Sequence, residues 1–310
     1  MDNVLLIDYL TISSKIDNEW SLIRLFGLEG CTWEKGKACN GYREALWYES
    51  IKVLYDASQD DMGVCIELSG QGCRTFETYG HGDYGFIFDT IFNEPDDYNI
   101  SRLDIAFDDR TGIFDFDRLA DDTHKGNYTS RSNTWSVTLG NKERIIYHGS
   151  KKSDVLIRIY DKALERNKQS EGHWIRFELQ LRREKALNFA KMYGRFHETF
   201  YDVVYTYLRY IVHDDLTTIT RCSMTDYWRE FLGAAKLTTL SSDLGVDYNL
   251  ARLDNFVMRQ AGNAVETYIA ITGKDAFFRN LKERGTAMNE KYKRLLERYG
   301  EYDARHNDGN

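Results

Sequence analysis

Residues 99–109, NISRLDIAFDD, alternate without a break. Leu103, Ile105 and Phe107 point one way, and Arg102, Asp104, Ala106 and Asp108 the other. That is the period-two pattern of a strand with one apolar face. Two later stretches repeat it. In VLIRIY, 155–160, Val155, Ile157 and Ile159 alternate with Leu156, Arg158 and Tyr160. In HWIRFELQLRRE, 173–184, Ile175, Phe177, Leu179 and Leu181 alternate with Arg176, Glu178, Gln180 and Arg182. Strands with one dry face and one polar face fit an antiparallel sheet covered on a single side.

Working outward, TWSVTL (134–139) and ERIIYHGS (143–150) read as a hairpin turning at Gly140–Asn141. Upstream, 3–12, 43–50, 51–57 and 63–70 carry strand signals, and 18–27, 75–79 and 86–93 helical ones. The glycine-rich SGQGCR, 69–74, reads as a tight turn rather than a phosphate cradle, because no Lys-Ser/Thr follows it. After about 184 the period becomes helical: 185–193, 197–212, 226–232, 248–270 and 275–299. The aromatic stripe over 200–210 reads as core. The expected fold is α+β, a central, mainly antiparallel sheet with helices on one face, followed by a helical C-terminal region. The expected domains are 1–215, the α+β unit carrying the catalytic site, and 216–310, a helical region for binding substrate or a partner.

Composition bounds the rest. Of 310 residues 42% are hydrophobic and 29% charged, the balance of a core-forming chain. The first residues show no basic, then apolar, leader pattern, and no apolar run approaches membrane-spanning length, so no membrane partner is expected. Five cysteines form no CxxC, and seven histidines form neither His-x-His nor HExxH. A reduced, cytoplasmic protein without zinc is the expectation. Basic residues number 41 and acidic ones 49, a net charge of −8, which disfavours indiscriminate coating of nucleic acid. The charge is uneven: from 142 to 185 twelve basic residues face seven acidic ones, so that segment is +5 and the remainder −13. A local, salt-sensitive grip on an anion is therefore allowed.

Polar residues on the outer face of one half-buried strand are ordinary. Three such strands together are more specific. If they are neighbours, Asp104, Glu178 and Tyr160 converge. Two nearby carboxylates need a cation between them, and a divalent metal suits oxygen ligands. Arg158, Lys162 and Arg176 suit an anionic substrate, and Arg102, Lys151, Lys152 and Ser153 are candidate phosphate contacts, on DNA if the substrate is a nucleic acid. A tyrosine beside a metal and arginines is a candidate nucleophile on phosphorus. Asp108 and Asp109 are candidates for an outer metal role or for turn capping, and His148 for phosphate or metal binding or for the core.

SRLDIAFDD (101–109), YHGSKKSDVLIRIYDKALER (147–166), WIRFELQLRRE (174–184) and SGQGCR (69–74) together resemble the replication initiation factor family. It includes rolling-circle initiators of Gram-positive plasmids and related relaxases of conjugative elements and phages. The resemblance covers roughly residues 5–215. It implies an enzyme that nicks one DNA strand at an origin and keeps the 5′ end as a phosphotyrosine. Tyr160, in RIYDK, would be the nucleophile, and Asp104 and Glu178 the ligands of Mg²⁺ or Mn²⁺. Origin DNA, single-stranded or in a cruciform, is the implied partner. A helicase and a second copy of the chain are further candidates, although no coiled-coil seam is visible. Two alternatives stay open: a sequence-specific DNA-binding protein without catalysis, and a metal-dependent phosphodiesterase using water.

Overall fold

The computed structural model describes residues 2–15, 18–59, 62–94, 96–213, 218–233 and 262–283. Two compact units result, Met1–Leu244 and Gly245–Asn310.

The first unit is built on ten strands: β1 (Val4–Ser14), β2 (Glu34–Lys35), β3 (Tyr42–Tyr48), β4 (Ile51–Ala57), β5 (Val64–Leu68), β6 (Tyr98–Asp109), β8 (Trp135–Leu139), β9 (Arg144–His148), β10 (Val155–Asp161) and β11 (Ile175–Arg182). Their order across the sheet is β2-β3-β4-β5-β1-β6-β11-β10-β9-β8. Every pairing among them is antiparallel. β7 (Tyr128–Ser130) and β12 (Leu208–Tyr210) form a separate pair. The three alternating strands of the sequence are therefore direct neighbours, with β11 between β6 and β10.

The helices are α1 (Glu19–Leu25), α2 (Gly70–Tyr79), α3 (Tyr84–Asn93), α4 (Phe116–Lys125), α5 (Lys162–Glu165), α6 (Glu184–Ala190), α7 (Phe196–Tyr207) and α8 (Asp226–Leu232). All but the single-turn α5 lay apolar side chains on one sheet face. Leu22, Phe76, Phe88, Leu119, Phe189, Phe200 and Trp228 share one buried cluster with Leu10, Ile105, Ile159 and Phe177. Burying one face of each strand against helices is the main stabilising term of such a layer. The other sheet face carries the charged alternates of β6, β10 and β11.

The structure differs from the sequence reading in several places. The break expected near 215 falls inside the first unit, because Tyr227, Trp228, Phe231 and Leu232 of α8 are buried in its core. The helix expected over 197–212 stops at Tyr207, and 208–210 turns extended to pair with β7. Tyr210 is wholly buried there, its hydroxyl 2.6 Å from Thr123 Oγ1 and 3.1 Å from His148 Nε2. That network fixes the strand and places His148 in the core; burial pushes its imidazole down to about 4. SGQGCR opens α2 instead of forming a free turn. Its glycines allow close approach: a Cβ on Gly72 would lie 2.5 Å from the Ser50 carbonyl oxygen. α4 went unread, although Asp115 caps its N-terminus and Gly126, at φ 72°, ends it.

In the second unit, α9 (Gly262–Thr272) and α10 (Lys274–Glu283) join at Gly273, with the Tyr268 and Phe277 rings 6.1 Å apart. The rest of the helices expected over 248–270 and 275–299 lies outside the described residues. No helix among the described residues is long and apolar enough to cross a membrane.

Candidate active site

The charged face of β6, β11 and β10 floors an open cleft of about 520 Å³. Strand pairing sets its layout. Arg158 lies directly opposite Glu178, Tyr160 opposite Arg176, and Gln180 opposite Asp104. Arg102, Asp104, Arg158, Tyr160, Lys162 and Glu178 all line the cleft.

The Tyr160 hydroxyl donates to Glu178 Oε2 at 3.0 Å and receives from Lys162 Nζ at 3.4 Å. Its residue is only 8% exposed, and burial raises its phenol well above the ordinary value, which the nearby arginines oppose. Lys162 follows directly because Asp161 caps α5, its carboxylate accepting from the Leu164 N–H. Burial pulls the Lys162 ammonium down, while Glu165, 2.5 Å away, holds it up.

The two carboxylates expected to bind metal are buried together. Asp104 is 0% and Glu178 2% exposed. Arg102 grips Asp104 through Nε at 2.9 Å and a terminal nitrogen at 2.5 Å, and stacks on the Tyr9 ring at 3.9 Å. One terminal nitrogen of Arg158 donates to Glu178 Oε1 and lies 3.6 Å from Asp104 Oδ2. Burial raises the Asp104 carboxyl above its ordinary range, opposed by Arg102 and Arg158. The position between Asp104 Oδ2 and Glu178 Oε1 is thus one that holds a cation. Two hard oxygen donors at such a position fit a small divalent ion, which needs few protein carboxylates and fills its shell with water and phosphate. Among the described residues no third His, Cys, Asp or Glu completes a larger metal-ligating group.

Other expected residues fall elsewhere. Arg176 does not line the cleft: it is buried and saturated by Asp108, at 2.6 and 2.8 Å, and by Asp8, at 2.7 Å. Asp108 is accordingly the partner of an arginine. Asp109 caps the following turn, accepting from the N–H groups of Thr111, Gly112 and Phe114. Burial works against its charge, but those donors and His173 hold its carboxyl below the usual value. Lys151, Lys152 and Ser153 form the turn before β10, tied by Ser150 and Ser153. They sit at the end of β10 away from Tyr160, roughly 20 Å along the strand, and none lines the cleft.

The cleft also holds Asp8 and Tyr9, which sequence reasoning missed, and Lys142, Arg144 and Arg166, which it placed only in the basic 142–185 segment. Lys142 lies in the β8–β9 turn and Arg144 opens β9, which register brings to the Tyr160 end, since Ile145 pairs with Tyr160. Counting back along an antiparallel β9–β10 hairpin would have found them. Asp8 sits at a register shift in β1, between Ile7 opposite Ile105 and Tyr9 opposite Asp104. Such a bulge re-aims a side chain and leaves no periodic signal. Gly70 closes the cleft beside it, where a Cβ would lie 2.9 Å from Asp8 Oδ1.

The model of the replication initiation factor family matches residues 98–281, and that of the rolling circle replication initiation protein N-terminal domain residues 4–92. The protein of Bacillus subtilis (strain 168) assigned as DNA relaxase NicK is 27% identical over 252 residues, covering 74% of this chain and 71% of its own. The solved rolling circle replication initiator protein from Geobacillus stearothermophilus superposes with a TM-score of 0.67 at 23% identity, over 76% of this chain and 97% of its own. The matched segment 98–281 contains all three strands of the cleft floor, and the chain belongs to the replication initiation factor family.

Proposed function

We propose that this chain is a DNA-nicking initiator or relaxase whose nucleophile is Tyr160. The observation that carries the reading is the Tyr160 hydroxyl, held on the cleft floor between Glu178 Oε2 and Lys162 Nζ. The phenol oxygen attacks the scissile phosphorus, and the bond from phosphorus to the 3′ oxygen breaks. The 5′ phosphate stays on Tyr160 and a 3′-hydroxyl is released. Glu178 Oε2 already accepts the phenol hydrogen bond and is placed to take its proton. Lys162, Lys142, Arg144 and Arg166 line the cleft, interspersed with Glu143, Asp161 and Glu165, and as cations suit a phosphodiester that gains charge in its transition state. Asp104 and Glu178 would hold Mg²⁺ or Mn²⁺, which supplies Lewis-acid polarisation of a nonbridging oxygen when bound. Because the phosphotyrosine conserves bond energy, the reverse attack by a 3′-hydroxyl reseals DNA without ATP.

The test is a gel of purified protein with Mn²⁺ and labelled single-stranded origin DNA. Wild type is expected to give a covalent protein–DNA adduct. Tyr160→Phe is expected to give none and to lose cleavage by roughly 10³-fold or more. An adduct with Tyr160→Phe would displace the nucleophile to another residue. Cleavage by both proteins without an adduct would mean that water attacks.

A further inference from the structure

We infer that Arg158 is a built-in stand-in for the metal, occupying its place until the ion arrives and then turning to the DNA phosphate. The inference rests on Asp104 and Glu178 being the metal ligands.

The same terminal nitrogen of Arg158 contacts Glu178 Oε1 and approaches Asp104 Oδ2 at 3.6 Å. A divalent ion bound to those two oxygens would sit about 2.1 Å from each. Ion and guanidinium nitrogen cannot share that space, so occupancy is exclusive. The arrangement solves a problem of the metal-free chain. Asp104 and Glu178 are almost wholly buried, and two buried carboxylates side by side need a compensating cation. Arg102 serves Asp104 alone; Arg158 is the group that serves both.

Arg158 is also suited to leave. Its side chain is 27% exposed and lines the cleft, whereas Arg176, which clamps Asp8 and Asp108, is 7% exposed and outside it. Its Nε is buried without a hydrogen-bond partner in this position, so the guanidinium gives up no bond there when it turns away. Charge counting agrees. The cleft lining carries six acidic and six basic residues, so without metal it offers phosphate no net attraction. A divalent ion makes it net positive. Metal and DNA would therefore load together, and the released arginine would meet the incoming phosphate.

The experiment is a Mn²⁺ titration of the full chain, with free Mn²⁺ read by electron paramagnetic resonance and no DNA present. Arg158→Met is expected to bind Mn²⁺ at least about tenfold more tightly than wild type, because a competing cation at contact distance is gone. Lys162→Met removes the same charge without touching either carboxylate, and its gain is expected to be clearly smaller. Arg158→Lys, which keeps charge but loses the fork, should fall between wild type and Arg158→Met and serves if the latter folds poorly. Metal-free Arg158→Met should melt below wild type, with the difference recovered on adding Mn²⁺. Equal affinity of wild type and Arg158→Met, or equal gains from Arg158→Met and Lys162→Met, would overturn the stand-in role. If Asp104→Asn and Glu178→Gln bind Mn²⁺ as wild type does, the metal-site reading itself fails, and that result is distinct from the other two.

Discussion

The two faces of the β6–β11–β10 strip are made by the same strands but held in different ways. On one face lie Leu103, Ile105, Phe177, Leu179 and Ile159; on the other Asp104, Arg176, Glu178 and Tyr160, none of them more than 8% exposed. The apolar face is held by packing against helices. The polar face is held by charge pairing within itself, through Arg102–Asp104, Arg158–Glu178 and Arg176–Asp8–Asp108. Buried ion pairs add little net stability, because desolvation offsets attraction, but removing one partner is costly. One face stabilises the fold; the other keeps charges in place for chemistry.

Truncation separates the two faces. Phe177→Ala should cost about 3–5 kcal/mol by denaturant unfolding, from lost burial plus cavity, while adduct formation well below the melting point persists. Arg176→Met should cost about 3 kcal/mol, because it strands Asp8 and Asp108 without their partner, and should also impair nicking through the displaced Asp8. If Arg176→Met proves neutral, the polar face is solvated and the contrast fails.

A pH series tests the apolar side. His148 is buried and neutral, its pKa near 4 against an ordinary 6.5. The stability it allows is complete above about 6.5 and is lost as pH falls toward 4, since only the unfolded chain takes up the proton. The loss should be on the order of 3 kcal/mol, and His148→Phe should flatten that part of the curve if the aromatic fits. An unchanged pH profile in His148→Phe would remove the histidine from the account.

The smallest effect concerns the strand ends. Lys151→Ala with Lys152→Ala should leave nicking within about twofold and stability within about 0.5 kcal/mol. Lys142→Ala with Arg144→Ala should weaken DNA binding and flatten its salt dependence, because those residues border the cleft. The opposite ranking, read by filter binding at two salt concentrations, would move the DNA path to the other end of β10.

The contrast also shows what the sequence can carry. Alternation over 99–109, 155–160 and 173–184 was enough to identify the strands and to assign Asp104, Tyr160 and Glu178 to one face. It could not say which polar residues would be spent on each other. Arg176 looks as available as Arg158 in a strand pattern, but Asp8 and Asp108 together clamp it outside the cleft. Lys142 and Arg144 stood out only as part of a basic segment, because proximity to Tyr160 depends on hairpin register. The end of α7 was missed because Phe200 and Tyr210 continue the same aromatic run, although Tyr210 belongs to a strand fixed by partners distant in the chain.

β1 and β6 pair in one register at both ends, Leu6 with Ala106 and Ser13 with Asn99. Between two irregularities, Tyr9, Leu10 and Thr11 are offset by one against Asp104, Leu103 and Arg102. The first irregularity adds a residue to β1, Asp8, and the second one to β6, Ser101, so the offsets cancel. A ladder lacking both residues would be regular throughout and would keep every pair formed on either side. The sheet therefore has no need of this frame-shifted insert. What the insert adds is a second acidic residue beside Tyr9 and Asp104, which suggests reading small, compensated length changes in paired strands as marks of a working surface.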